Sequence, residues 1–463
     1  MNDITAFFAF LKYCLGYKGD MSRVITGMDW QELYSFASKQ ALLGLCFDGI
    51  ERLGKEYPEE LKQNPIEREL LMTWMGAAQQ IRRQNMKVNA VASKLFSMLR
   101  EDGMRCCVLK GQGNALIYPN PYSRTPGDID VWVNASREEI TEYAKCHFNL
   151  EDDIRFHHLE TTMDGVPVEL HFFPCIMNNP IYHARLQKWF RRNADLQCSH
   201  IVGLPDGAGD IAIPTTAFNV IYQLTHLYHH FFDEGIGMRQ IIDYFLVVND
   251  FSKNVFWDND LSNHPVPLSK EGSTFSLSPS SMVFTPPSVP PFPGDRNLRS
   301  GDVTAPSRCS EPLRSKDGGP SKVSPGCAGW DRLDGSGDTS FAAGDSSVAL
   351  GVVQKELKYL GLWKFAQAVM FVMKEVFELS EDRMIAPMDE KEGRFLLDEI
   401  MRGGNFGQYD DRMGSKVGES KIHRYFRMNL RNLRFVKHYP AEALSEPLFR
   451  TWFAIWKKIH GKE

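Results

Sequence analysis

Apolar side chains recur at spacings of three and four in the N-terminal part of the chain, which is the period of an amphipathic helix. The pattern is found in Ile4 to Leu15, Trp30 to Ala37 and Ala41 to Ile50. From Pro65 to Arg100 no further proline interrupts the periodicity, and proline suits the first turn of a helix. Residues 1–100 are therefore predicted to form an N-terminal helical region that ends in one long helix or two abutting ones.

The period changes to two in the next part of the chain, 101–213, which predicts β-strands. A short apolar run, Cys106 to Leu109, breaks at a glycine-containing turn and is followed by a short helical segment up to Tyr118. A second strand is predicted over Gly127 to Val133, where polar and apolar residues alternate. Strand, glycine turn, helix and strand thus follow one another in this order.

A β-hairpin is predicted directly after this unit. Ile154 to Met163 and Val166 to Phe173 are strand-like and are separated by Asp164-Gly165, the pair that favours a type I′ turn. If Met163 pairs with Val166, four polar side chains share one face of the hairpin: His158, Glu160, Glu169 and His171. The opposite face, with Val168, Leu170 and Phe172, is then the core face.

Helical periodicity returns in residues 214–250, where Arg239 and Asp243 are four residues apart and are predicted to form an ion pair. Residues 251–350 are rich in Pro, Ser and Gly, a composition that predicts a disordered insertion or an artefact of sequence assembly. Residues 351–463 are again predicted to be helical. The fold class predicted from the whole pattern is α+β, with a small mixed β-sheet between N-terminal and C-terminal helical regions.

The composition narrows the class of protein further. An apolar content of 43% is sufficient for packed cores, and a net charge of -5 provides no general attraction to nucleic acid or anionic membranes. The sequence contains no convincing secretory signal and no apolar run of transmembrane length, so we expect a cytoplasmic protein. The nine cysteines include no Cys-x-x-Cys pair and are expected to be reduced thiols.

Two carboxylates stand out in the second predicted strand. The period of two places Asp128 and Asp130 on one face, opposite the apolar face of Ile129, Val131 and Val133. Such a pair repels unless a cation lies between the two groups, and Mg²⁺ prefers hard oxygen ligands of this kind. The glycines of Lys110-Gly111-Gln112-Gly113 permit close approach of phosphate oxygens to the backbone.

These residues resemble the polymerase-β-like nucleotidyltransferases, in particular a large, poorly characterised bacterial family with Leu-Lys-Gly, a following arginine and Asp-x-Asp. The matching residues here are Leu109-Lys110-Gly111, Arg124 and Asp128-x-Asp130. The resemblance implies a polymerase-β-like sheet. This chain departs from the commoner pattern of the superfamily, because Gln112 stands where many members have a serine whose hydroxyl contacts the triphosphate.

The resemblance also implies an activity: an enzyme of the EC 2.7.7 type that transfers a nucleoside monophosphate from an NTP to a hydroxyl acceptor. Asp128, Asp130 and Glu169 would hold two Mg²⁺ or Mn²⁺ ions, and Glu160 is the reserve candidate for the third acid. The nucleotide would bind at Lys110, Gly111, Gln112, Gly113 and Arg124. The acceptor, whether a small molecule, a protein or an RNA, is unidentified, and His158 and His171 are expected to orient the carboxylates rather than to bind metal.

Two other functions remain open from the sequence. His158, Glu169 and His171 have the composition of a His₂Glu zinc site for hydrolysis, although this would leave Asp128 and Asp130 unexplained. The chain is also compatible with a catalytically inactive nucleotide-binding or antitoxin-like module. His226 and His230 share a helix face, and we interpret them as packed or hydrogen-bonded side chains rather than as zinc ligands.

Overall fold

The computed structural model describes residues 4–150, 155–256, 346–410 and 432–460, with the single positions Arg412, His423, Arg427 and Leu430. Six helices precede the first strand: α1 Ile4–Cys14, α2 Ser22–Gly27, α3 Trp30–Lys39, α4 Leu43–Glu56, α5 Pro58–Gln63 and α6 Arg68–Glu101. The predicted N-terminal helical region is thus present, and the segment after Pro65 forms one continuous helix, α6.

The central part of the chain alternates strands and helices. In chain order it contains β1 Cys106–Leu109, α7 Gly111–Ala115, β2 Ile129–Val133, α8 Arg137–His147, β3 His158–Met163, β4 Val166–His171, α9 Pro180–Ser199, β5 Ile201–Gly203 and β6 Asp210–Ala212. Short 3₁₀ turns lie at Pro121–Ser123 and Pro205–Gly207. The predicted order of strand, glycine turn, helix, strand and hairpin is confirmed.

Four of these strands form a mixed sheet in the order β1-β2-β4-β3, and β5 pairs with β6 separately. The β1–β2 and β3–β4 pairs are antiparallel, whereas β2 and β4 are parallel. Parallel neighbours need a crossover connection, which here contains α8 and β3. The predicted α+β class with a small mixed sheet between helical regions is confirmed.

The two faces of the sheet bury different side chains. Ile129, Val131 and Val133 of β2 share a core with the apolar side of α6, as their alternation predicted. On the other face Trp132 packs against Phe190 of α9, with ring centroids 6.0 Å apart, and against the ring of Phe218 at 6.1 Å. Asp130 projects to this second face, because it is two residues from Trp132 on the same strand.

The remaining helices are α10 Thr216–Asp233, α11 Met238–Phe256, α12 Ser346–Tyr359, α13 Trp363–Phe377, α14 Glu390–Gly403 and α15 Pro440–His460, with short 3₁₀ turns at Glu381–Arg383, Asn405–Gly407 and Leu433–Lys437. Helix α11 extends into the predicted insertion, which otherwise lies mainly outside the described residues. Helices α12 and α13 are separated at Gly361, whose φ of 74° suits glycine and which lies against the ring of Tyr182.

Helix α15 covers the outer end of the hairpin. Phe156, just before β3, lies 5.1 Å from Trp452 and 5.8 Å from Phe449, measured between ring centroids. Glu442 is buried and accepts hydrogen bonds from the backbone N–H groups of Asn178 and Asn179. The C-terminal helix is therefore part of the support of the sheet.

Among the described helices none has the length and apolar character needed to cross a membrane. The cysteines in the same part of the chain are all free, and Cys106 and Cys107 are buried in β1, as expected for thiols that pack in a strand.

Candidate active site

Strand pairing brings the two predicted acidic strands together. In the parallel register of β2 and β4, Asp130 lies directly beside Glu169. In the hairpin, Glu169 faces Glu160 and His171 faces His158, which confirms the predicted register. Asp164 and Gly165 both have positive φ, at 51° and 71°, as a type I′ turn requires.

Asp130 lies at the centre of this group, and its side chain is only 4% exposed. One of its oxygens, Oδ1, lies 3.0 Å from Lys110 Nζ and 3.1 Å from His171 Nε2. His171 Nε2 is also 3.1 Å from Glu169 Oε2, so one imidazole N–H is shared between two carboxylates. His158 Nδ1 lies 3.3 Å from the same Glu169 oxygen.

The electrostatics of these groups are strongly coupled. Burial alone would raise the pKa of Asp130, but Lys110 and His171 outweigh it and hold that pKa well below its usual range. Burial disfavours the imidazolium of His171, yet its hydrogen bonds to Asp130 and Glu169 raise its pKa to about 9. A pKa in this range favours the imidazolium at neutral pH, which would donate its N–H to the two acids, and the orienting role of His171 stays a prediction.

Asp128 lies just before β2, and its side chain reaches solvent. The surrounding protein still removes enough hydration to raise its pKa to about 7, and the charges of Asp130 and Glu169 add to this effect. An additional positive charge would relieve this repulsion. This electrostatic environment favours a cation beside the carboxylates.

Three groups of potential metal ligands occur in the described part of the chain: Asp130 with Glu169 and His171, His158 with Glu160 and Glu169, and His157 with His158 and His171. The carboxylate oxygens of Asp130 and Glu169, with Asp128 nearby, fit the preference of Mg²⁺ or Mn²⁺ for hard ligands. The suggested zinc trio of His158, Glu169 and His171 is not one of these groups.

Lys110 connects the acids to helix α10. Its backbone has φ 51° and ψ -132°, an uncommon conformation for a residue with a Cβ. Its Nζ lies 2.7 Å from His226 Nε2, and His226 Nε2 lies 3.0 Å from His230 Nε2. Burial and the charge of Lys110 lower the pKa of His226 far below its usual value, so the neutral ring accepts a hydrogen bond from the ammonium group.

These contacts agree with our interpretation of His226 and His230 as hydrogen-bonded residues. The role of His226 as a partner of Lys110 was missed by sequence reasoning. The only signal was its spacing from His230, which does not indicate a partner more than one hundred residues away in the chain.

The predicted phosphate-binding turn forms the start of α7. Gly111 has a φ of 37°, and a Cβ on Gly113 would come within 3.0 Å of Ile213, so both glycines suit their positions. The side chain of Gln112 is buried and donates to Asn89 on α6. The side chain of Gln112 is therefore occupied by an internal contact, and nucleotide binding by the turn stays a prediction.

Arg124, also predicted to bind nucleotide, is buried and makes a bidentate pair with Asp243, with both N–O distances 2.8 Å. The predicted ion pair of Arg239 with Asp243 is therefore wrong, because the carboxylate is paired with Arg124 from the segment before β2. Arg239 instead donates to the Thr125 carbonyl at 3.0 Å.

Comparisons with known proteins place the chain in a family. Residues 26–263 match the model of a family described as uncharacterised nucleotidyltransferase. Among solved structures, the chain is similar to an antigenic nucleotidyltransferase-like protein from Paracoccidioides brasiliensis, with 16% identity, a TM-score of 0.24, and coverage of 35% of this chain and 75% of that chain. No curated protein sequence matches the chain. The extent of the family match identifies the chain as a member of the uncharacterised nucleotidyltransferase family.

Proposed function

We propose that the protein transfers a nucleoside monophosphate from an NTP to a hydroxyl group of an acceptor and releases pyrophosphate. The observation that carries this proposal is the meeting of Asp130 and Glu169 on adjacent parallel strands, beside the cationic groups of Lys110 and His171. Family membership supports the same class of reaction. The proposed localisation is the cytoplasm.

In this reaction the acceptor oxygen forms a bond to the α-phosphorus while the bond from that phosphorus to the pyrophosphate oxygen breaks. The proton of the acceptor hydroxyl passes to a base, for which we propose Glu169. Its carboxylate is partly exposed, at 23%, and is held by His171, so it is oriented and remains reachable.

Asp128, Asp130 and Glu169 are the proposed ligands of two Mg²⁺ or Mn²⁺ ions. When bound, such ions neutralise phosphate charge and favour ionisation of an acceptor hydroxyl. Lys110 keeps positive charge at Asp130, since the three carboxylates outweigh burial and raise the pKa of the ammonium group. His171 orients both neighbouring acids.

The test is incubation of the protein with each α-labelled NTP, Mg²⁺ or Mn²⁺, and cell extract, followed by detection of pyrophosphate and of the labelled acceptor. Transfer that is lost with chelator and with Asp130→Asn supports the proposal. Restoration of a hydrolytic activity by Zn²⁺ alone would favour the zinc hydrolase instead. Nucleotide binding without transfer to any component of the extract would favour the inactive binding module.

A further inference from the structure

Two buried arginines lie next to one buried carboxylate beside the candidate active site. Arg124 is 5% exposed, Arg239 8% and Asp243 5%. Asp243 receives both hydrogen bonds of the Arg124 pair and a third from the hydroxyl of Tyr118, at 2.7 Å from Asp243 Oδ1. All three of these hydrogen bonds come from residues other than Arg239.

Arg239 is left with few partners for a buried guanidinium. Its Nη1 donates to a backbone carbonyl, that of Thr125, but its Nε has no hydrogen-bond partner among the described protein atoms. Burial and the nearby charge of Arg124 lower the pKa of Arg239, and the opposing charges of Asp243, Tyr118 and Asp128 do not fully offset them, so the cation is incompletely balanced. A buried charge of this kind is costly unless a bound anion completes its hydrogen bonds.

The location of Arg239 indicates what kind of anion would bind to it. The carbonyl that it contacts belongs to Thr125, three residues before Asp128. Asp128 is also close enough to Arg239 to raise the pKa of the guanidinium, opposing the effect of burial. Arg239 thus borders the same end of β2 as the proposed metal ligands.

The guanidinium is also held in place. Its Cζ lies 5.4 Å from the ring centroid of Phe406, a partly exposed residue with a φ of 51°. The turn that carries Phe406 is pressed against α11, since a Cβ on Gly237 would come within 2.7 Å of Asn405 Cα. This packing orients Arg239 before any ligand binds, which lowers the entropic cost of binding.

We infer that Arg239 binds the triphosphate of the incoming nucleotide. A guanidinium offers a planar fork of donors that matches phosphate oxygens, and Nε is one of the two donors on the bidentate edge. Lys110, a further cation at this site, is already engaged by Asp130 and His226. This inference rests on the proposed function and adds a residue that sequence reasoning assigned to a structural ion pair.

The test uses inorganic tripolyphosphate and each NTP with Mg²⁺ in isothermal titration calorimetry on the full chain. Arg239→Gln should weaken tripolyphosphate binding about ten- to a hundredfold, the loss expected when charge-assisted hydrogen bonds disappear. The melting temperature without ligand should be equal to or above that of the wild type, because an unbalanced buried charge has been removed. A solely structural role would lower it.

Two further variants serve as controls. Arg82→Gln, which breaks the pairs with Asp48 and Glu51, should leave tripolyphosphate binding unchanged. Arg124→Gln should lower the melting temperature, because it leaves the buried carboxylate of Asp243 without its bidentate partner.

The outcomes separate this inference from the proposed function. If the wild type binds tripolyphosphate and Arg239→Gln binds it equally well, the inference is wrong while nucleotidyl transfer stands. If the wild type binds neither tripolyphosphate nor any NTP, the proposed function itself fails. If Arg239→Gln does not fold, Arg239→Lys is measured in its place. Weakened tripolyphosphate binding by folded Arg239→Lys supports the inference, and binding as tight as that of the wild type overturns it.

Discussion

The assignment of Glu169 as the proton acceptor leads to a sharp comparison of Glu169→Gln with Glu160→Gln. The two residues face each other across the hairpin, and their side chains are 23% and 24% exposed. Both contact His158, but only Glu169 contacts His171 and lies beside Asp130, whereas Glu160 pairs with Arg155 at 2.8 Å. Glu160→Gln is therefore a matched control for the loss of one carboxylate from this face.

The glutamine at position 169 keeps the shape of the side chain but neither accepts a proton nor balances metal charge. General base catalysis contributes about 10² to 10⁴ in rate, so kcat should fall by about that factor. The KM for the NTP should change little, because the triphosphate contacts are elsewhere in the proposed site. Glu160→Gln should keep most of the activity. The assay is Mg²⁺-dependent release of pyrophosphate by both variants under the same conditions.

A second readout comes from His171 in chelator-treated protein. Its pKa of about 9 depends partly on Glu169, so NMR titration of Glu169→Gln should give a value closer to about 6.5. A histidine with a raised pKa stabilises the fold fully below about 6.5, and that contribution is lost as pH rises through about 9. This loss should be smaller in Glu169→Gln. Full turnover in Glu169→Gln, with loss in Glu160→Gln, would show that the catalytic acid lies on β3 instead.

Three further predictions concern other residues. Asp128→Ala and Asp130→Ala should each reduce transfer by at least about a thousandfold without loss of helical circular dichroism, and Mg²⁺-dependent turnover in either variant would contradict their role as metal ligands. His226→Phe removes a hydrogen-bond acceptor from Lys110 and should reduce kcat about tenfold or more. His226→Gln retains an acceptor, so its loss of kcat should be smaller. If His226→Phe has the same kcat as the wild type, His226 does not position Lys110. Burial raises the pKa of Glu442 to about 7, so its contribution to stability is present below about pH 4.5 and is lost as pH rises through about 7. In urea titrations over that interval, the free energy of unfolding of the wild type should fall by about 3 kcal/mol more than that of Glu442→Gln. Parallel pH profiles for the two proteins would contradict this.

The local features of the site were predictable because they follow from periodicities within short segments. Alternation along β2 assigned Asp130 to one face and Ile129, Val131 and Val133 to the other. The Asp164-Gly165 turn and the apolar face of β4 together determined the register of the hairpin. A shift of the strand register by one residue would have exposed the core side chains, so burial permits only one register.

The sequence by itself thus determined the α+β class, the helical character of the segment that forms α6, the hairpin register and the polar face that carries the acids. Only the tertiary structure decided which distant residues complete each polar group: His226 for Lys110, Asn89 for Gln112, and Arg124 rather than Arg239 for Asp243. The physical reason is that a period of two or of three and four fixes the direction of a side chain relative to its own backbone. The partner that it meets depends on how the helices pack around the sheet, and a buried carboxylate is paired by whichever guanidinium that packing brings into bidentate contact.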